Sequence, residues 1–302
     1  NEAGIVFRKD KTFLLDWMQV YMEAQESAGK KDGSQIKIAM RILKDYAGEM
    51  VTLDQIDGDF CRGYITYLLT EYHPKGKDIS NYTLHNYYRA LNGALNSAVR
   101  KKKMKANPFN ELEKSEKIRK PESMRSYMTI EEVQALIDTP MPHEEYEIVK
   151  CAYLFSCFCG LRISDIIKLK WNDVFVDRGQ YRLAVSMKKT KEPIYLPLSP
   201  EALKWMPERG GKSSEDNVFD LPSANTIRMQ LKPWAKAAGI SKRFSYHTSR
   251  HTFATMMLTL GADLYTVSKL LGHADVKMTQ VYAKIINKKK DEAVNLVNGL
   301  FH

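Results

Sequence analysis

Residues Val174–Pro197 read VFVDRGQYRLAVSMKKTKEPIYLP. Tyr181, Leu183, Val185 and Met187 alternate with polar residues, the period of a strand that buries one face. Asp177–Gln180 has the composition of a hairpin turn and Lys188–Lys191 that of a second, so this segment is expected to fold as a small antiparallel sheet. On both sides of it the apolar period is helical. Thr129 is placed to open a short helix, Glu147–Cys159 is apolar and ends at Gly160, and a new turn begins at Ser164. Helical signals return after Ser199-Pro200, after Ser223, over His247–Leu260 before Gly261, and over Asp263–Leu271 before Gly272. The expected fold class is mainly α with a small antiparallel β-sheet.

Towards the amino terminus the pattern is helical throughout. Thr12 and Ser34 are candidate caps for two amphipathic helices, one carrying Phe13, Trp17, Val20 and Tyr21, the other Ile38, Ile42, Leu43 and Tyr46. A third is expected over Gly58–Glu71. A fourth follows Ser80, carries Leu84, Tyr87, Tyr88, Leu91, Leu95 and Ala98, and runs into a basic cluster until Asn107, Pro108 and Phe109 stop it. Glu111–Ser126 mixes Lys, Arg, Glu, Ser and Pro with few apolar residues, the composition of an exposed linker. The expected organisation is an all-α four-helix domain over residues 1–112, a linker over 113–126 and an α+β domain over 127–302.

The bulk numbers set limits. With 302 residues and 44% hydrophobic content the chain can build two cores, and its apolar runs are too short to span a bilayer. The opening residues lack the pattern of a secretory signal, so a cytoplasmic protein is expected. A formal net charge of +10 favours a polyanionic partner. Five of the six residues Arg100–Lys105 are basic, a pattern equally suited to a solvated helix end and to phosphate contact. Cys61, Cys151, Cys157 and Cys159 have neither metal-ligand spacing nor a disulfide framework, and no role is assigned to them.

Three short motifs carry chemistry. HTSRH at 247–251 places His247, Arg250 and His251 on one helical face. Alone, this reads as a polar face with satisfied histidines; the arginine on that face disfavours a dication. GLRISD at 160–165 sets Arg162 just after a helix-stopping glycine, with Asp165 one turn on. LGHADVKMTQVYAKI places His273 nine residues before Tyr282.

In combination, GLRISD, Lys189 in the hairpin, HTSRH, LGH and the tyrosine of TQVYAKI resemble the tyrosine recombinase or phage-integrase family. The resemblance covers Tyr127–Ile286; the four-helix region resembles that family's core-binding (SAM-like) domain in size, helix count and position. It implies that Arg162 and Arg250 are the catalytic arginines, His247 and His273 the two histidine positions, Lys189 the hairpin lysine and Tyr282 the nucleophile, with Asp165 in support. Ser249 stands where leucine is commoner in the family, a departure expected to affect packing. Lys188 and Lys191 flank the choice of Lys189, which rests on its place before Thr190.

The implied reaction suits these residue types. Charge grows on phosphoryl oxygens as an incoming oxygen adds, and two guanidinium forks neutralise it. Tyr282 displaces a 5′ oxygen and joins the 3′ phosphate; the bond energy is kept in the phosphotyrosine, so neither ATP nor metal is needed. Lys189 protonates the leaving 5′ oxygen, His247 accepts or relays the tyrosine proton, and His273 hydrogen-bonds the phosphate.

The resemblance implies double-stranded DNA as partner, a homo-tetramer on DNA with a monomer or weak oligomer without it, and no cofactor. Accessory DNA-bending proteins, a mobile genetic element as source and a bacterial, nucleoid-associated location go with it. The sequence starts at Asn1, and an amino-terminal arm-binding domain beyond it is expected. The apolar stripe Ala293, Val294, Leu296, Val297, Leu300 and Phe301 is read either as packing on its own domain or as docking on a neighbouring protomer. The competing readings are a type IB topoisomerase-like enzyme, a non-cleaving DNA-binding protein of the same fold, and a metal-dependent nuclease, which lacks its carboxylate cluster.

Overall fold

The computed structural model describes residues 11–30, 32–121, 125–186 and 193–283. The chain divides into two compact units, Asn1–Ser123 and Met124–His302.

In the first unit α1 (Leu14–Ser27), α2 (Gly33–Ala47), α3 (Gly58–Thr70) and α4 (Asn81–Arg100) pack round one core. Met18, Ile42, Leu91 and Leu95 are out of water, each such side chain stabilising the fold by roughly 1.5–3 kcal/mol. Two starts differ from expectation. Helix α1 begins after Phe13, not Thr12, because Phe13 is extended and bridged to Thr52, while the Leu14 amide donates to the Val51 carbonyl at 2.8 Å. Helix α2 begins one residue before Ser34, with Asp32 at the cap position and its carboxylate turned to Arg89 at 3.2 Å. Ser80 caps α4 as expected, accepting from the Thr83 amide.

Helix α4 ends at Arg100, well before Asn107. Lys102 turns left-handed, φ 56°, and the Lys103 amide reaches back to the Ala98 carbonyl, so the basic cluster is the helix exit. Asn107 instead pins the following loop to α4, donating to the side-chain oxygens of Asn92 and Asn96 at 2.7 and 2.9 Å. The stretch read as an exposed linker also contributes to this core: Leu112 and Ile118 are buried in it, and Glu116 pairs with Arg62 at 2.8 Å.

The second unit is built on α5 (Ile130–Asp138), α6 (Glu147–Cys159), α7 (Ile163–Ile166), a three-stranded sheet, α8 (Pro200–Leu203), α9 (Ala224–Ala237), α10 (Tyr246–Thr259), α11 (Leu264–Leu270) and α12 (Lys277–Ala283). Strands β1 (Val174–Asp177), β2 (Gln180–Ser186) and β3 (Pro193–Pro197) lie in the order β1-β2-β3, each neighbour antiparallel. The β1–β2 hairpin turns on Arg178 and Gly179, both at positive φ, the backbone that matches the twist of a two-residue turn. The second expected turn, Lys188–Lys191, lies outside the described residues.

Helices α6 and α10 form the middle of this unit. Residues 152–157 of α6 are buried in succession, as are 248–255 of α10, so neither has a wet face in these stretches. The polar side chains of α10 therefore need partners within the core. Tyr153 Oη meets Thr248 Oγ1 at 2.9 Å, Tyr246 Oη donates to the Ala152 carbonyl at 2.7 Å, and Ser249 Oγ donates to the Tyr246 carbonyl at 2.7 Å. Ser249 is thus a packed core residue with its hydroxyl satisfied inside its own helix.

Candidate functional site

The site forms where the carboxyl end of α6, the middle of α10 and helix α12 meet. Helix α6 stops because Gly160 takes the left-handed conformation, φ 75°. A side chain here is excluded twice over, since a Cβ would lie 2.6 Å from Phe253 Cδ1. Two residues later Arg162 sits at the amino end of α7, where the Asp165 carboxylate accepts the Arg162 amide at 3.3 Å and the Asp165 amide returns a bond to the Arg162 carbonyl. Asp165 is buried. Its carboxylate holds the backbone from which Arg162 projects.

Arg250 is 2% exposed. Its Nη1 donates to the Gly160 carbonyl at 2.7 Å and its Nη2 to the Leu271 carbonyl, so two helix-terminal oxygens orient the fork. Burial, then the Arg162 charge, lowers its pKa to about 9, which leaves the guanidinium charged at neutral pH.

After α11 the chain turns at Gly272, φ 61°, and presents His273. The Nδ1 of that ring meets Thr279 Oγ1 at 2.7 Å, and Thr279 is wholly buried on α12. This bond occupies one ring nitrogen and so sets the direction of the other.

Tyr282 is 3% exposed, set among Phe253, Leu258, Val267 and Leu271. Its hydroxyl lies 2.6 Å from Nδ1 of His251. Burial raises the Tyr282 pKa, against the lowering effect of Arg125, Arg250 and Arg162. His251 is buried, and burial followed by His247, Arg125, Arg250 and His273 pulls its pKa down to about 3. Its ring stands edge-to-face on that of His247, centroids 4.5 Å apart. His247, on the outer side of the pair, has its pKa lowered by desolvation and then by Arg250, Arg125 and Arg162.

Arg162, Arg250, His247, His273, Asp165 and Tyr282 are thus gathered at one place from segments up to 120 residues apart, while Lys189 lies outside the described residues. Three participants are additional to those expected. Thr279 and Arg125 carry no sequence signal that singles them out. His251 does, since it shares the helical face of HTSRH with His247 and Arg250. Among the described residues no cluster of His, Cys, Asp and Glu could hold a metal ion.

This arrangement of two arginines, paired histidines and a buried tyrosine lies on a chain whose residues 126–289 match the model of the phage integrase family. The chain belongs to that family. Residues 13–119 match the phage integrase SAM-like domain. A tyrosine recombinase of Pseudothermotoga lettingae is 29% identical over 242 residues, covering 72% of this chain and 82% of its own. Tyrosine recombinase XerD of Vibrio vulnificus is 32% identical over 184 residues, 56% of this chain and 59% of that protein. The matched region thus spans somewhat more than half of the XerD relative.

The fold is shared with solved family structures. The Tn1549 transposon integrase in complex with circular intermediate DNA aligns with TM-score 0.70 and 17% identity, over 90% of this chain and 94% of that one. A lambda integrase dimer bound to a core site aligns with TM-score 0.65 and 21% identity, over 90% and 95%.

Proposed function

We propose that this phage-integrase family chain is a site-specific recombinase that cleaves and rejoins DNA strands through a 3′-phosphotyrosine on Tyr282, without metal or ATP. The observation that carries the reading is the Tyr282 hydroxyl, held in a buried cluster whose charged neighbours are Arg125, Arg250 and Arg162. In the proposed reaction those two arginines hold the scissile phosphate and neutralise the charge that grows on it. His273, its ring set by Thr279, hydrogen-bonds a phosphoryl oxygen, and Asp165 keeps Arg162 in place. Lys189 gives the leaving 5′ oxygen its proton. The products are a phosphotyrosine and a free 5′ hydroxyl, and a 5′ hydroxyl from another strand reverses the step.

The partner we propose is double-stranded DNA, bound by a tetramer as in the lambda integrase tetramer on a Holliday junction, with accessory DNA-bending proteins and a bacterial nucleoid setting as companions of a mobile-element integrase. None of the helices described is long and apolar enough to cross a membrane. The test uses nicked duplexes with a randomised core, incubated with the protein in EDTA. A DNA adduct that survives SDS is expected from the wild-type chain and not from Tyr282→Phe, which should still shift DNA in a gel. An adduct at undiminished yield from Tyr282→Phe refutes the assignment. Joining of two duplexes, rather than relaxation of a supercoiled circle alone, separates a recombinase from a type IB topoisomerase-like enzyme.

A further inference from the structure

We infer that His251 is the group that takes the proton from the Tyr282 hydroxyl during strand cleavage. The inference rests on the reading of Tyr282 as nucleophile and adds to that reading the identity of its base.

Geometry favours His251 over every other described group. Its Nδ1 stands 2.6 Å from Tyr282 Oη, within the reach that proton abstraction requires. Both side chains are buried, 6% and 3% exposed, so the imidazole rather than bulk water is the nearest acceptor for the proton. The Thr255 hydroxyl donates to the His251 carbonyl at 2.9 Å and α10 is buried around it, so the ring rests on a rigid element. The His247 ring packs edge-to-face on that of His251, centroids 4.5 Å apart. It is placed to stabilise or pass on a charge that arrives at His251.

The proton balance is complete. As the Tyr282 Oη–phosphorus bond forms and the phosphorus–O5′ bond breaks, the tyrosine proton moves to His251 Nδ1. The leaving 5′ oxygen takes a different proton from the proposed acid, Lys189, and in the joining step both return.

The groups round His251 bear on when this happens. They are His247 and Arg250 on α10, Arg125 ahead of α5, His273 before α12 and Tyr282 on α12, while Arg162 at α7 acts on Tyr282 and His247. Most of these charges are cationic, and together with burial they keep the imidazole neutral and its lone pair available. A bound phosphodiester brings negative charge against them and makes the protonated imidazole easier to form. Tyr282 is therefore activated by the DNA phosphate itself.

Two measurements decide the matter. In the DNA-free wild-type protein the Nδ1 of His251 should show the nitrogen NMR shift of an unprotonated imidazole nitrogen, altered in Tyr282→Phe. An Nδ1 that carries the hydrogen overturns the proposal without reference to activity. On a nicked duplex selected from the randomised pool, His251→Gln should bind DNA normally and form adduct about 10²–10⁴-fold more slowly near neutral pH. That deficit should shrink as pH rises and hydroxide replaces the lost base, whereas loss of a merely positioning side chain gives the same deficit at every pH. A rate within threefold of wild type, or a deficit independent of pH, refutes His251. A wild-type chain that binds but forms no adduct while Nδ1 is unprotonated refutes the nucleophile reading instead.

Discussion

Arg250 Nη1 donates to the carbonyl oxygen of Gly160 at 2.7 Å, tying the middle of α10 to the left-handed turn that ends α6. One contact thus couples the shape of a turn to the aim of a guanidinium. Gly160→Ala should break that coupling. The added methyl meets Phe253 Cδ1 at 2.6 Å and Leu271 Cδ2 at 3.1 Å, at a φ of 75°. Left-handed strain of about 1–2 kcal/mol and overpacking of about 1–3 kcal/mol act together. Urea unfolding should show a loss of roughly 2–5 kcal/mol, and adduct formation should fall further than stability alone explains.

Thr279 offers a quieter test. Thr279→Val keeps the shape of this buried side chain and removes the oxygen that meets His273 Nδ1 at 2.7 Å. The His273 ring then loses the contact that holds its orientation. Adduct formation should drop about tenfold, about 1.4 kcal/mol in the barrier, with DNA affinity unchanged. Thr279→Ser, which restores a hydroxyl, should recover most of that rate.

Acid should destabilise the second unit through His251. Its pKa is depressed from 6.5 to about 3 in the folded chain, so between those values the unfolded state binds more protons. Stability is therefore full above about pH 6.5 and falls as pH drops towards 3. The loss between about pH 7.5 and pH 5 is on the order of 2 kcal/mol from this group. His247 is also depressed and adds to the slope. Unfolding in urea at the two pH values should show a smaller difference for His251→Gln than for the wild type; an equal difference removes His251 from the account.

Most of the architecture is legible in periodicity and turns, because these are local. Glu147–Cys159 is a helix with those bounds, Gly160 stops it, and the alternation round Leu183 and Val185 is the strand that pairs with β1 and β3. What stayed hidden is what depends on distant packing. Leu112 and Ile118 sit in a polar stretch, and only the core of the first unit shows that they are buried. Thr12 has the right chemistry for a cap, but the bridge from Phe13 to Thr52 sets the helix start. Within the site, HTSRH places two histidines on one face, and the resemblance gives the tyrosine proton to His247. The contact between Tyr282 and His251 depends on α12, which brings the two together across 31 residues of sequence, and no local pattern shows it.

The two arginines should respond differently to removal, although both are proposed to hold the same phosphate. Arg250 is buried, and two of its nitrogens satisfy the Gly160 and Leu271 carbonyls at the ends of α6 and α11. Arg250→Ala strips both carbonyls of a partner and opens a cavity, with each buried unsatisfied group costing about 1–3 kcal/mol. Arg250→Lys places one charge where a planar fork spanned two acceptors, and cannot restore both bonds. Arg162 is only half-buried and its backbone is held by Asp165, so Arg162→Ala leaves that turn in place. Differential scanning calorimetry should therefore show a clearly lowered transition for Arg250→Ala, an intermediate one for Arg250→Lys and a smaller shift for Arg162→Ala, while adduct formation falls steeply in all three. Equal thermal shifts for the two alanine variants would show that the carbonyl contacts of Arg250 contribute little, and its burial would then need no partner beyond the phosphate.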